Sequence, residues 1–159
     1  MHYLWYAIAV LFVVGVTIAV LNNHRSVATG VIEHDGLLRL GECPGSPNCV
    51  SSYQGSGYAE LGPWRYDSVD RDTARIELVS MLLEQPRVRI LERRDDYVHA
   101  LFVSRLFRFR DDVEFYLPPD EPLIHFRAES RLGKGDLGVH EKRMRELHRH
   151  YSRRLPRSS

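Results

Sequence analysis

The chain has 159 residues, 43% of them hydrophobic and 27% charged, with a net charge of +1. That length suits one ordinary domain. The near balance of charge excludes a global electrostatic attraction to nucleic acid or to anionic lipid, and no internal repeat or long low-complexity tract interrupts the chain.

Residues 3–21, YLWYAIAVLFVVGVTIAVL, carry no charge. As a helix they reach roughly 28 Å, close to the hydrocarbon thickness of a bilayer. Tyr3, Trp5 and Tyr6 gather at one end, where aromatic rings favour the interface. A cleaved signal peptide, with Ser26-Val27-Ala28 as its small-x-small site, is the competing reading. The region before the apolar run has no Lys or Arg and the run is long for such a peptide, so a retained single-span anchor contacting membrane lipid is expected. Arg25 after the span favours a cytoplasmic domain by the charge rule. The paired cysteines favour the extracytoplasmic side, which is the expectation adopted.

The chain then divides into an anchor (1–22), a tether (23–35), a single domain (36–155) and a tail (156–159). Gly36 to Gly57 is dense in Gly, Pro and Ser and reads as an extended loop. Within it, Cys43 and Cys49 close a short ring. A disulfide there would rigidify the loop by roughly 2 kcal/mol on a chain-entropy estimate. Zinc normally takes four ligands in tighter pairs, and His34 is a thin supplement. A redox site wants C-x-x-C beside a helix. Disulfide is the favoured reading, with free thiols and metal or redox roles left open.

Asp72 or Thr73 is a candidate cap for a helix over Ala74–Glu84. Ile76, Val79 and Leu83 form one apolar row and Ala74, Leu78 and Leu82 its neighbour. Val88–Arg93 reads as a strand. Tyr97–Leu106 is a longer one, partly apolar on both faces, hence central. The terminal helix spans Val139–Leu155, with Asp136 as its cap and Met144, Leu147, Tyr151 and Leu155 as its buried stripe. Residues 140–159 hold seven Lys or Arg against two Glu. That outer face reads as solvated, with phospholipid or RNA contact as the sharper alternatives. RNA is disfavoured because Tyr151 alone offers a stacking ring there.

The densest chemistry lies in residues 109–139. Val113, Phe115 and Leu117 alternate with Asp112, Glu114 and Tyr116; after Pro118, Pro119 and Pro122, Ile124, Phe126 and Ala128 alternate with His125, Arg127 and Glu129. Period two argues for paired half-buried strands. Placing the apolar sets on one face fixes the register by parity: Val113 opposite Ala128, Phe115 opposite Phe126, Leu117 opposite Ile124. The other face then sets Tyr116 against His125, Glu114 against Arg127, and Asp112 against Glu129. The last pair is repulsive unless Arg105, Arg110 or Arg131 lies near.

Several chemistries suit this face. Asp111, Asp112, Glu114 and Glu129 are candidates for acid–base work or a hard cation; an ion-pair lattice with Arg110, Arg127 and Arg131 on a solvated sheet face is the plainer reading. Arg127, Ser130 and Arg131, with Gly133, Asp136 and the backbone leading into the last helix, are candidates to cradle a carboxylate or phosphate. No Ser–His–Asp or Cys–His constellation is supported by spacing, so no catalytic residue, metal ligand or cofactor is assigned.

Cys43-Pro44-Gly45-Ser46-Pro47-Asn48-Cys49-Val50-Ser51-Ser52 resembles the opening motif CPxSPNCVSS of domain-of-unknown-function family 1499. Phe109, the Asp111–Phe115 run, Arg127, Ser130-Arg131, Gly133, Asp136–Val139 and Arg143 match its later pattern. The likeness spans Leu40 to about Leu147. Ala128 stands where the family pattern has serine and His140 where it has asparagine. The resemblance implies an uncharacterised bacterial and plastid family, often placed behind an N-terminal membrane or export segment.

The expectation is therefore an α+β, two-layer domain: an antiparallel meander sheet with two helices on one face, preceded by a transmembrane helix. It would bind a small anionic ligand or a protein partner, and no nucleic acid, through Asp112, Glu114, Arg127 and Arg131 beside the cysteine loop. A hydrolase using the acidic cluster and a purely structural envelope protein are the alternatives.

Overall fold

The apolar N-terminal stretch folds as one helix, α1 (His2–His24). In this computed structural model, which describes residues 2–53, 61–133, 135 and 138–156, its span Tyr3–His24 has a mean hydropathy of 2.6 with none of it buried. It is long and apolar enough to cross a bilayer. A hairpin follows, β1 (Val31–His34) and β2 (Leu37–Leu40), and then β3 (Cys49–Ser51), β4 (Trp64–Arg65) and α2 (Arg71–Leu83). The remaining elements are β5 (Val88–Arg93), β6 (Tyr97–Val103), β7 (Arg110–Tyr116), β8 (Leu123–Ser130) and α3 (Val139–Ser152).

The main sheet is antiparallel in the order β3-β8-β7-β6-β5, with β4 also pairing to β8. β6 is an interior strand, flanked by β5 and β7, as its two partly apolar faces suggest. The parity argument holds in the β7–β8 register: Val113↔Ala128, Phe115↔Phe126, Glu114↔Arg127, Asp112↔Glu129 and Tyr116↔His125. On one face Ala74, Leu78 and Leu82 of α2 and Met144, Leu147 and Tyr151 of α3 share a buried core with Val98, Val113, Phe115 and Phe126. Trp64 joins β8 to α3, its ring 5.6 Å from Phe126 and 5.7 Å from Tyr151 between centroids. The architecture is α+β, as expected.

Several local expectations need correction. α2 begins at Arg71 because Asp70, rather than Asp72 or Thr73, caps it, its side chain accepting from the Thr73 N–H at 2.8 Å. Of the row Ile76, Val79 and Leu83, Val79 joins the neighbouring row in the core while Ile76 and Leu83 are exposed. β6 stops at Val103, where the Ser104 N–H donates to the Phe109 carbonyl at 2.9 Å and the chain turns out of the sheet. α3 ends at Ser152 and not at Leu155; Gly138 precedes it with φ 78°, a left-handed value that suits glycine. Asp136, the expected cap, lies outside the described residues. β1 falls within residues 23–35, and β2 and β3 fall within the Gly36–Gly57 loop.

Candidate functional site

Alternation along β7 sends Val113 and Phe115 to the helices, and therefore sends Asp112 and Glu114 to the opposite face. The solvated face expected there is instead buried: Asp112 and Glu114 are 0% exposed and Arg127 is 2% exposed. Residues 26–42 lie across it as a strap. Ion-bearing faces normally stay wet because a buried carboxylate needs a full set of donors. The strap supplies them from its backbone, which side-chain periodicity cannot reveal.

Asp112 accepts five hydrogen bonds. Arg131 grips it with two, Nε to Oδ2 at 2.9 Å and Nη2 to Oδ1 at 2.7 Å. His99 Nε2 donates to Oδ1 at 2.8 Å, which assigns that ring nitrogen the proton. The Val27 N–H, at 2.8 Å, and Ser26 Oγ, at 3.1 Å, complete Oδ2. Burial alone would push this carboxyl up; His99, Arg131 and the Val27 amide more than reverse that and hold it well below the usual carboxylate range.

Glu114 is enclosed in the same way. Oε1 accepts from the Thr29 N–H at 3.0 Å, the Gly30 N–H at 2.7 Å and Tyr97 Oη at 2.9 Å. Oε2 takes Arg127 Nη1 at 3.1 Å. Arg127 also donates to the Val27 carbonyl at 3.1 Å and to Glu129. Burial, and after it the Glu114 charge, pushes the Tyr97 phenol up. Burial likewise raises the Glu129 carboxyl, with Arg127 opposing. The Asp112–Glu129 repulsion expected from the register is relieved because each carboxylate has its own arginine, Arg131 and Arg127.

The strap is continuous with α1. Arg131 Nη1 donates to the His24 carbonyl at 2.9 Å, and Asn23 bridges the Arg108 carbonyl and the Arg110 N–H at 3.1 and 3.0 Å. Farther along, the Gly41 N–H donates to Thr29 Oγ1 at 3.0 Å. A Cβ at Gly41 would come within 2.7 Å of the Thr29 side chain, so this position admits only glycine without displacement.

The candidate residues do not all share one face. Asp112, Glu114, Arg127 and Arg131 converge under the strap. Ser130, by the same alternation, points to the helix side, where its Oγ donates to Asp111 Oδ1 at 2.7 Å and lies 3.0 Å from His140 Nε2. Arg143 closes that second cluster through Asp111 Oδ2 at 2.8 Å and contacts His140 Nδ1 at 3.3 Å. Serine, histidine and aspartate thus meet, but in an order unsuited to nucleophilic catalysis. Arg143 donates to Nδ1, which leaves the proton on Nε2, and the serine proton is directed to Asp111 and not to the imidazole. The Gly133 carbonyl accepts from Asn48 Nδ2 at 2.9 Å, tying the glycine corner to the cysteine loop. Asp136 cannot be placed among these groups because it lies outside the described residues.

Cys43 and Cys49 form a disulfide with Cα atoms 5.6 Å apart. It holds β3 beside Glu129 and Arg127 of β8. Sequence reasoning missed the strap amides, Tyr97 and His99 as partners of the carboxylates, and the pairing of Asp111 with Arg143. The last was within reach, since parity separates Asp111 and Ser130 from Asp112. Among the described residues no three His, Cys, Asp or Glu side chains converge as a metal-ligand set. An open cleft of about 430 Å³ lies elsewhere, between α3 and the β5–β6 end of the sheet, with Arg87, Lys142, Arg143 and His150 on its walls.

An antiparallel sheet backed by two helices, with a charged face sealed by the segment behind a long apolar helix, defines a helix-tethered α+β module. Residues 39–150 match the family model described as Protein of unknown function (DUF1499), and the chain belongs to that family. Both motifs quoted from the sequence, the cysteine loop and the β7–β8 hairpin with its glycine corner, fall within the matched span. No curated protein and no solved structure matches the chain.

Proposed function

We propose that this protein is a membrane-anchored, envelope-associated module that acts by holding its domain firmly on the end of α1, and that the hairpin charges serve attachment and not turnover. The observation that carries this reading is the donation of the Val27, Thr29 and Gly30 amides into Asp112 and Glu114. A catalytic carboxylate needs a free lone pair and access to substrate; Asp112 accepts five bonds, and both carboxylates are fully buried. The same saturation weighs against a free anion on this face, because Arg127 and Arg131 are already committed to carboxylates of their own chain. The length and apolar composition of α1 support the anchored reading.

Hydrogen exchange on the full chain in lipid nanodiscs tests it. The Val27, Thr29 and Gly30 amides should exchange with the protection of sheet amides. A bond to a charged acceptor is stronger than one to a neutral acceptor by about 1 kcal/mol, so Asp112→Asn should speed exchange at Val27 by at least roughly fivefold, and by more because Arg131 loses its partner. Thr29 and Gly30 should change less. Fast exchange of all three in the wild type would overturn the reading.

The domain is placed on the extracytoplasmic side by the same proposal, because disulfides persist in oxidising compartments. Maleimide applied to intact cells should label Cys43 and Cys49 only after reduction. Labelling without reductant would remove this placement.

A further inference from the structure

The turn between β6 and β7, residues 104–109, is SRLFRF. It exposes Leu106 (78%), Phe107 (69%) and Phe109 (42%), while most large apolar side chains of the folded domain are inside. The Phe107 and Phe109 rings stack with centroids 5.5 Å apart, so the apolar surface is contiguous. Its position is fixed by α1. Asn23, bonded to the Arg108 carbonyl and the Arg110 N–H, lies only about 3 Å along the helix axis beyond Leu21, the end of the uncharged run. Beside it is a cleft of about 330 Å³ with Leu91, Leu101 and Val103 among its apolar walls and Arg89 and Arg108 among its basic ones.

We propose that the β6–β7 turn is a second membrane-contacting element, which beds Leu106, Phe107 and Phe109 at the headgroup–acyl boundary beside the end of α1 while Arg89, Arg105 and Arg108 meet lipid phosphates. This rests on the reading of α1 as a membrane span. Three features select a lipid surface as the occupant: continuity with the apolar helix, aromatic and leucine side chains on one turn, and arginines interleaved with them. Interfacial segments with that composition bury their apolar side about 5–10 Å into the boundary, and aromatic rings are favoured at that depth. The turn also gives the domain a second point of support. One helix alone leaves it free to swivel, whereas a helix and a bedded turn fix its tilt.

Tryptophan quenching by brominated lipids tests the proposal on the full chain in anionic vesicles. Trp5 reports α1, and Trp64, in the core, reports folding. Phe107→Trp in a Trp5→Phe background adds a reporter at the turn. Its added emission should be quenched severalfold more by lipid brominated near the headgroup than by aqueous iodide. Quenching by iodide and not by lipid, or shielding from both, overturns the inference. Wild-type Trp5 separates the two readings. If Trp5 is quenched by lipid and the turn reporter is not, the turn is wrong and the span stands; if Trp5 itself escapes, the span reading fails and the inference with it. Replacing Leu106 and Phe107 with serine should leave Trp64 emission unchanged, and a loss of that emission would show the turn to be part of the core.

Discussion

Arg127→Ala is expected to lower the unfolding free energy by about 3–5 kcal/mol, because removing one partner of a buried ion pair strands the other charge. Arg127 faces two carboxylates, Glu114 and Glu129, and also holds the Val27 carbonyl. Whole-domain stability is typically only about 5–15 kcal/mol, so the variant should lie near the edge of folding. Urea unfolding of wild type and variant in the same detergent measures the difference. Arg127→Lys should recover only part of the loss, since an ammonium cannot span Glu114, Glu129 and the strap with one planar fork. A change under about 1 kcal/mol in Arg127→Ala would mean that the face is wet in solution, and the sealed clasp would be wrong.

Acid should unfasten the same clasp, through Asp112. Its carboxyl is held well below the usual range in the fold, whereas the unfolded chain takes up its proton near pH 4. As pH falls below about 4 the unfolded state therefore binds more protons than the native one, and stability declines. Glu129 opposes this: burial raises its carboxyl, so its charged form disfavours the fold at neutral pH and protonation relieves that. Asp112 dominates the acid limb because five donors hold it. Asp112→Ala should cost about 3 kcal/mol or more at pH 7 by stranding Arg131, and should flatten the acid limb of stability. Urea midpoints at neutral pH and at pH 3 check both. An acid limb of equal slope in wild type and variant would assign the titration elsewhere.

These two expectations concern residues that the sequence already singled out, yet the role each plays was not legible there. Period-two alternation in Asp112–Leu117 and Ile124–Glu129 carries the hairpin, its register and the separation of a core face from a charged face, because a strand admits only two sides. The same parity, applied once more, separates Ser130 and Asp111 from Arg127 and Asp112, so the anion cradle drawn from sequence joined residues of opposite faces. The two rows on α2 were equally visible, but only contact with the sheet shows that Ile76 and Leu83 remain outside. The cysteine loop was legible as a constrained ring; its place beside Arg127 required the β3–β8 pairing.

Local order along the chain determined a long apolar helix, an antiparallel hairpin, an amphipathic terminal helix and membership of a family through two motifs. These follow from periodicity and composition, which are properties of neighbouring residues. Tertiary structure alone decided that the charged face is sealed, that Asp112 and Glu114 hold the segment behind α1, and that an apolar turn stands beside the end of that helix. Each depends on backbone amides or on a junction between segments some 85 residues apart, and neither leaves a trace in the order of side chains.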